Sequence, residues 1–97
     1  MYEITSSIYL ELAELLVDAI ADKEFYSGVV VCHDGEVRCR LLCTVIVSRE
    51  ERTFDGGTYR AINRIIPVWW ELQTFEGEEL VKNDFSFEQL RKTILGD

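Results

Sequence analysis

The sequence predicts an α+β fold in the order α-β-β-β-α, a three-stranded antiparallel meander with two helices packed on one face. Three observations carry this. Apolar residues recur at helical spacing over residues 7–23, apolar and polar residues then alternate through a long stretch from Glu36, and Asp34-Gly35 and Asp55-Gly56-Gly57 punctuate the strand region as turns. The order is read as a single α+β domain over residues 1–97, with no repeat, linker or low-complexity tract.

The first helix rests on Ile8, Leu12, Leu15, Leu16, Ala19 and Ile20, which share one face, while Glu11, Glu14, Asp18 and Asp22 fall opposite. Tyr9, Ala13 and Val17 widen the apolar stripe, and Thr5 or Ser6 can cap the N-terminus through a side-chain oxygen. The first strand covers residues 27–33, with the run Val29-Val30-Val31. In the second strand, over residues 36–52, Val37, Cys39, Leu41, Cys43, Val45 and Val47 alternate with mostly polar residues, so one face packs on a core. The third strand covers residues 58–74. It contains Pro67, which has no N–H for a ladder bond, so the strand is an edge or is bulged there. An acidic loop over residues 76–84 leads to a final helix after Ser86. Ser86 and Gln89 resemble a capping box, Phe87, Leu90 and Ile94 form the apolar stripe, and Gly96 ends the helix.

Turn geometry assigns the faces. A two-residue Asp34-Gly35 turn sets His33 opposite Glu36, Cys32 opposite Val37 and Val30 opposite Cys39. With Asp55 opposite Thr58, the third strand adds Ile66, Val68, Trp70 and Leu72 to the core face. The other face receives Val29, Val31, Leu42, Ile46, Ile65 and Trp69, too apolar a set for water. These six are the expected interface, in a homo-oligomer or with another protein. The competing expectation is that Leu80-Val81 folds back over this face.

Charge is unevenly distributed within a formal net charge of −8. Residues 1–35 sum to −6, residues 36–64 carry six arginines and sum to +2, and residues 65–97 sum to −4. The acidic balance disfavours nonspecific attraction to nucleic acid or anionic lipid. The second hairpin nevertheless offers Arg49, Arg52, Arg60 and Arg64 as anion contacts, with Arg49 and Arg64 expected opposite each other.

No residue pattern names a chemistry. Cys32 and His33 are adjacent on one strand, so they point to opposite faces and cannot act as nucleophile and base. Cys32, Cys39 and Cys43 are too far apart along the strands for one zinc ion and read as small buried hydrophobes. His33 sits at a turn with no second catalytic group, the carboxylates of residues 76–84 lack calcium-loop spacing, and Gly56-Gly57 opens no helix. No metal, cofactor or membrane span is expected. The odd cysteine count and the N-terminus, which lacks the basic start of a leader peptide, point to the cytoplasm.

The element order is similar to that of the double-stranded-RNA-binding domain. That family's RNA contact is a lysine cluster opening its second helix, whereas the last helix here opens Ser86-Phe87-Glu88-Gln89 behind acidic residues, so the order brings no RNA contact with it. The function expected from the sequence is a non-enzymatic protein–protein interaction module, homodimeric through the open sheet face. The alternatives are nucleic-acid contact through the arginine hairpin, an acidic nucleic-acid mimic or inhibitor using the helix carboxylates, and, last, a small enzyme with a pocket between helix and sheet.

Overall fold

The computed structural model describes residues 1–96, so the last residue of the expected domain lies outside it. The fold is α+β, in the order α1 (Ser6–Ile20), β1 (Phe25–Asp34), β2 (Val37–Phe54), β3 (Gly57–Glu76), β4 (Glu79–Val81) and α2 (Phe87–Leu95). The four strands form one antiparallel sheet in the order β1-β2-β3-β4.

The stripe that predicts α1 is the stripe it buries. Ile8, Leu12, Leu16 and Ile20, four residues apart, are inaccessible to solvent or nearly so. Thr5 caps the helix by accepting from the Ile8 amide at 3.4 Å. The helix ends at Ile20, three residues before its expected end, and Ala21 turns the chain with φ 53°. The last turn contains no basic residue and does contain Asp18, an unfavourable arrangement at the negative end of the helix dipole. Arg49 from β2 supplies the missing cation, its guanidinium donating to the Ala21 and Lys23 carbonyls at 2.7 and 2.8 Å.

The core lies between the helices and one face of the sheet. Val30, Cys32, Cys39, Leu41, Cys43, Val45, Val47 and Leu72 point into it, as their parity predicts. The registers producing this differ from those expected. In the first hairpin the loop is Gly35-Glu36, with Asp34 opposite Val37. Gly35 has φ 61°, the positive angle needed at the first position of a type II′ turn. Cys32 therefore faces Cys39, and His33 faces Arg38. Sliding a two-residue turn by one position moves the register by two, so every side chain keeps its face.

In the second hairpin Asp55 and Gly56 form the loop, both with positive φ, and Phe54 pairs with Gly57. Two single-residue bulges in β3 then shift the ladder, with Asn63 and Val68 left between paired neighbours. The bulges together restore the expected pairing beyond Trp69, where Cys43 faces Trp70 and Leu41 faces Leu72. Between them the faces are exchanged. Ile65, expected on the open face, is buried opposite Val47, and Ile66, expected in the core, is 42% exposed. Val68, also expected in the core, is the bulge residue and is exposed. Arg49 pairs with Ile62 and Arg64 with Ser48, so the expected Arg49–Arg64 opposition is not formed.

The acidic loop contains β4, which extends the sheet beyond β3. Thr74, fully buried, donates to the Val81 carbonyl at 2.7 Å, and Asn83 donates to the Leu72 carbonyl at 2.9 Å. Leu80-Val81 thus lie at the sheet's edge and do not fold across its open face. Ser86 caps α2 by accepting from the Gln89 amide, but the return half of the capping box is replaced: the Ser86 amide donates to the Tyr9 hydroxyl at 3.0 Å. Gly96, at φ 77°, closes the helix as expected.

Candidate functional site: the open sheet face

Cross-strand pairing arranges the face away from the helices in rows. Phe25, Ile46 and Ile66 make one row across β1, β2 and β3. Ser27, Thr44 and Trp69 make the next, and Val29, Leu42 and Glu71 the one after. Val31, Arg40 and Gln73 follow, and then His33, Arg38 and Phe75, with Leu80 beyond Phe75 on β4.

The first three rows are dominated by apolar side chains. Phe25, Val29, Val31, Ile46, Ile66 and Trp69 are each between 40% and 57% exposed, and Leu42 is half-buried among them. The Ser27 and Thr44 hydroxyls at its centre are 2.8 Å apart and satisfy each other, so those positions present little unsatisfied polarity. The two rows at the far end mix Val31 and Phe75 with polar side chains that are tied together. Arg40 donates to Gln73, Gln73 donates to Glu71 at 2.8 Å, and the Arg38 guanidinium lies 4.7 Å from the centre of the Phe75 ring.

Five of the six residues expected at the interface lie on this face: Val29, Val31, Leu42, Ile46 and Trp69. Ile65 does not, because the bulge turns it inward, and Ile66 takes its place. Phe25 also belongs to the set, because β1 begins two residues before the Ser27 start that the sequence predicts. Its odd number, matching Ser27, Val29 and Val31, was the available signal. Ile66 was also signalled, because Pro67 marks a bulge or edge and a bulge exchanges faces.

The four arginines expected to contact anions do not form a cluster free for a ligand. Arg49 holds the end of α1, and Arg52 is paired with Glu50 at 2.9 Å. Arg60 and Arg64 are exposed on the hairpin arm, with no ion pair among the described residues.

The helix side offers a groove of about 540 Å³ between β3 and α2, lined by Pro67, Trp70, Phe85, Phe87 and Arg91 among others. Trp70, expected in the core, faces the helices and packs on Phe87 with ring centroids 5.4 Å apart, yet is 44% exposed along this groove. The polar groups lining the groove have structural partners. Ser86 caps α2, and Glu88 is paired with Arg91 through the Arg91 Nε at 3.0 Å. Cys32, Cys39 and Cys43 are buried free thiols. Burial pushes the Cys43 thiol up to about 11, and the Cys32 thiol is raised by its hydrogen bond to Cys39 and then by burial. Both are poor nucleophiles at neutral pH, and Cys39, which the Cys32 hydrogen bond holds below the usual thiol range, is fully buried from any substrate. His33 is exposed on the opposite face of the sheet. Among the described residues no group of three or more His, Cys, Asp or Glu side chains is placed to hold a metal ion, and no helix is long and apolar enough to cross a membrane.

These features define a small α+β protein with a one-sided sheet whose second face presents apolar residues to solvent. Comparison with protein-family models, with curated proteins and with solved structures finds no match.

Proposed function

We propose that this protein is a non-enzymatic interaction module of the cytoplasm that docks another protein surface, in the first instance a second copy of itself, through the open face of its sheet. The observation that carries this is the row Phe25–Ile46–Ile66 with Trp69 beside it, four large apolar side chains side by side on a face that no helix or loop among the described residues covers. Exposed apolar patches of this kind cost solubility and mark interfaces. A tryptophan near the centre of a patch is a common energetic anchor. The free buried thiols support a reducing compartment, and the described residues, whose groove-lining polar groups are taken up as a helix cap and an ion pair, support a non-catalytic role.

Sedimentation velocity tests this. The wild-type chain should sediment at twice the monomer mass at tens of micromolar. Ile46→Lys, which puts a charge into the centre of the exposed row, should sediment as a folded monomer with unchanged circular dichroism. Self-association that persists unchanged in Ile46→Lys would remove the open face as the docking surface.

A further inference from the structure

The proposed docking reading leaves open how a second copy would sit, and the charges on the open face determine it. Along β2 this face presents Arg40, Leu42, Thr44, Ile46, Ser48 and Glu50 in succession. Arg38 precedes and Arg52 follows this stretch on the same face, and within it Arg40 and Glu50, the latter paired with Arg52, stand equally far from a midpoint between Thr44 and Ile46. Along β3 it presents Glu71, Trp69, Ile66 and Arg64, an acid and a base in the reverse order, with the midpoint between Trp69 and Ile66. Thr44 pairs with Trp69 and Ile46 with Ile66, so both midpoints lie on one line across the sheet.

A two-fold axis along that line lays each strand over its own copy, running the opposite way. Resting on the docking reading above, we infer that the occupant of the open face is a second copy in this antiparallel stack, with Glu71 of each chain meeting Arg64 of the other and Arg40 meeting Glu50. Trp69 then packs on the partner's Ile66 at the centre. The arrangement is isologous, as closed dimers are, and it places charge pairs around an apolar centre.

The distances are compatible with sheet packing. Successive same-face residues are about 6.7 Å apart along a strand, so Glu71 and Arg64 each lie about 10 Å from the axis. Stacked sheets cross at about 30°, which displaces facing positions there by about 5 Å, within reach of an arginine and a glutamate. At Arg40 and Glu50 the displacement grows to about 9 Å, so the Glu71–Arg64 pair is the decisive one. Both are exposed, and Glu71 is held by Gln73 only through one carboxylate oxygen. A two-fold axis parallel to the strands would instead set rows over like rows and bring neither pair together. Within one chain Glu71 and Arg64 are about 20 Å apart, too far to interact directly.

The test is a charge exchange read by sedimentation and native mass spectrometry at low salt. Glu71→Arg and Arg64→Glu each place two like-charged pairs in the homodimer, and each should weaken self-association about tenfold. Mixing the two variants should restore affinity to within about threefold of wild type and give the heterodimer, because only the mixed pair has both contacts complementary. The double variant on one chain should recover in the same way. Single variants that associate like wild type, or a mixture that fails to recover, would overturn the antiparallel stack. If Ile46→Lys still abolishes association in that case, the docking face stands and only its geometry falls. A wild-type chain that remains monomeric at several hundred micromolar overturns the self-docking altogether.

Discussion

Arg49 shows how one side chain joins two elements. The sequence suggests a solvent-facing hairpin arginine, but its guanidinium closes the end of α1 by donating to the carbonyl of the C-cap residue Ala21 and to that of Lys23 in the turn that follows. The bonds are charge-assisted and partly exposed, so Arg49→Ala should lower stability by about 1–2 kcal/mol in urea denaturation. Arg49→Lys should recover only part of this, since an ammonium lacks the planar fork that spans both acceptors. A loss below a few tenths of a kcal/mol in Arg49→Ala would mean the helix end is held by its backbone alone.

At the scale of elements, β4 is informative because it is only three residues long and its sequence reads as an acidic loop. Its propensity for strand is low. What holds it is specific: the buried Thr74 hydroxyl donates to Val81 and accepts from Asn83 at 3.2 Å. Thr74→Val preserves shape and removes both bonds, leaving the Val81 carbonyl without this donor and the Asn83 amide with its bond to Leu72 alone. It should cost about 1–3 kcal/mol and should speed amide exchange in residues 79–83 more than in β1. Equal exchange in both regions would show that β4 is held by its ladder and not by Thr74. The β3 bulges belong to this scale as well. They exchange Ile65 and Ile66 between the faces, and so decide which isoleucine is core and which is available for docking.

For the molecule as a whole, two features stand out. The radius of gyration is 14.5 Å, against about 12.5 Å for a compact chain of this length, and the longest dimension is 49 Å. The excess comes from the β2–β3 arm, whose exposed residues 50–60 extend beyond the helices. The N-terminal segment, by contrast, is tied down against the loop before α2 and the end of β1. Tyr2 pairs with Asn83 in a parallel bridge, Asp84 accepts from the Ile4 amide at 2.7 Å, and the Tyr2 hydroxyl donates to the Asp34 carboxylate. The hydrogen bond to Asp34, then burial and the Asp34 charge, push the Tyr2 hydroxyl up to about 12. The folded state therefore holds this proton more tightly than the unfolded chain, where tyrosine titrates near 10. The stabilisation is fully present below about pH 10 and is lost as pH rises through about 12. Denaturation midpoints of wild type and Tyr2→Phe should thus differ at pH 8 and converge near pH 12. A constant difference across that range would show that the phenol's proton is not the source.

Much of this was legible in the residues and some was not, for reasons of physics. Helical spacing located α1 and α2, the valine run, the alternation from Val37 and the two turns located β1, β2 and β3, and parity sent the three cysteines inward and Trp69 outward. Parity is robust because a two-residue turn that slides by one position changes the register by two, so the misplaced Asp34-Gly35 turn moved no side chain to the wrong face. A bulge changes the count by one, and no local preference of Asn63 or Val68 announces it beyond the hint in Pro67. The exchange of Ile65 for Ile66, the capture of Arg49 by the end of α1 and the docking of β4 through Thr74 were therefore settled by tertiary contacts. They depend on which backbone groups and side chains meet across long sequence separations, information that local periodicity does not contain.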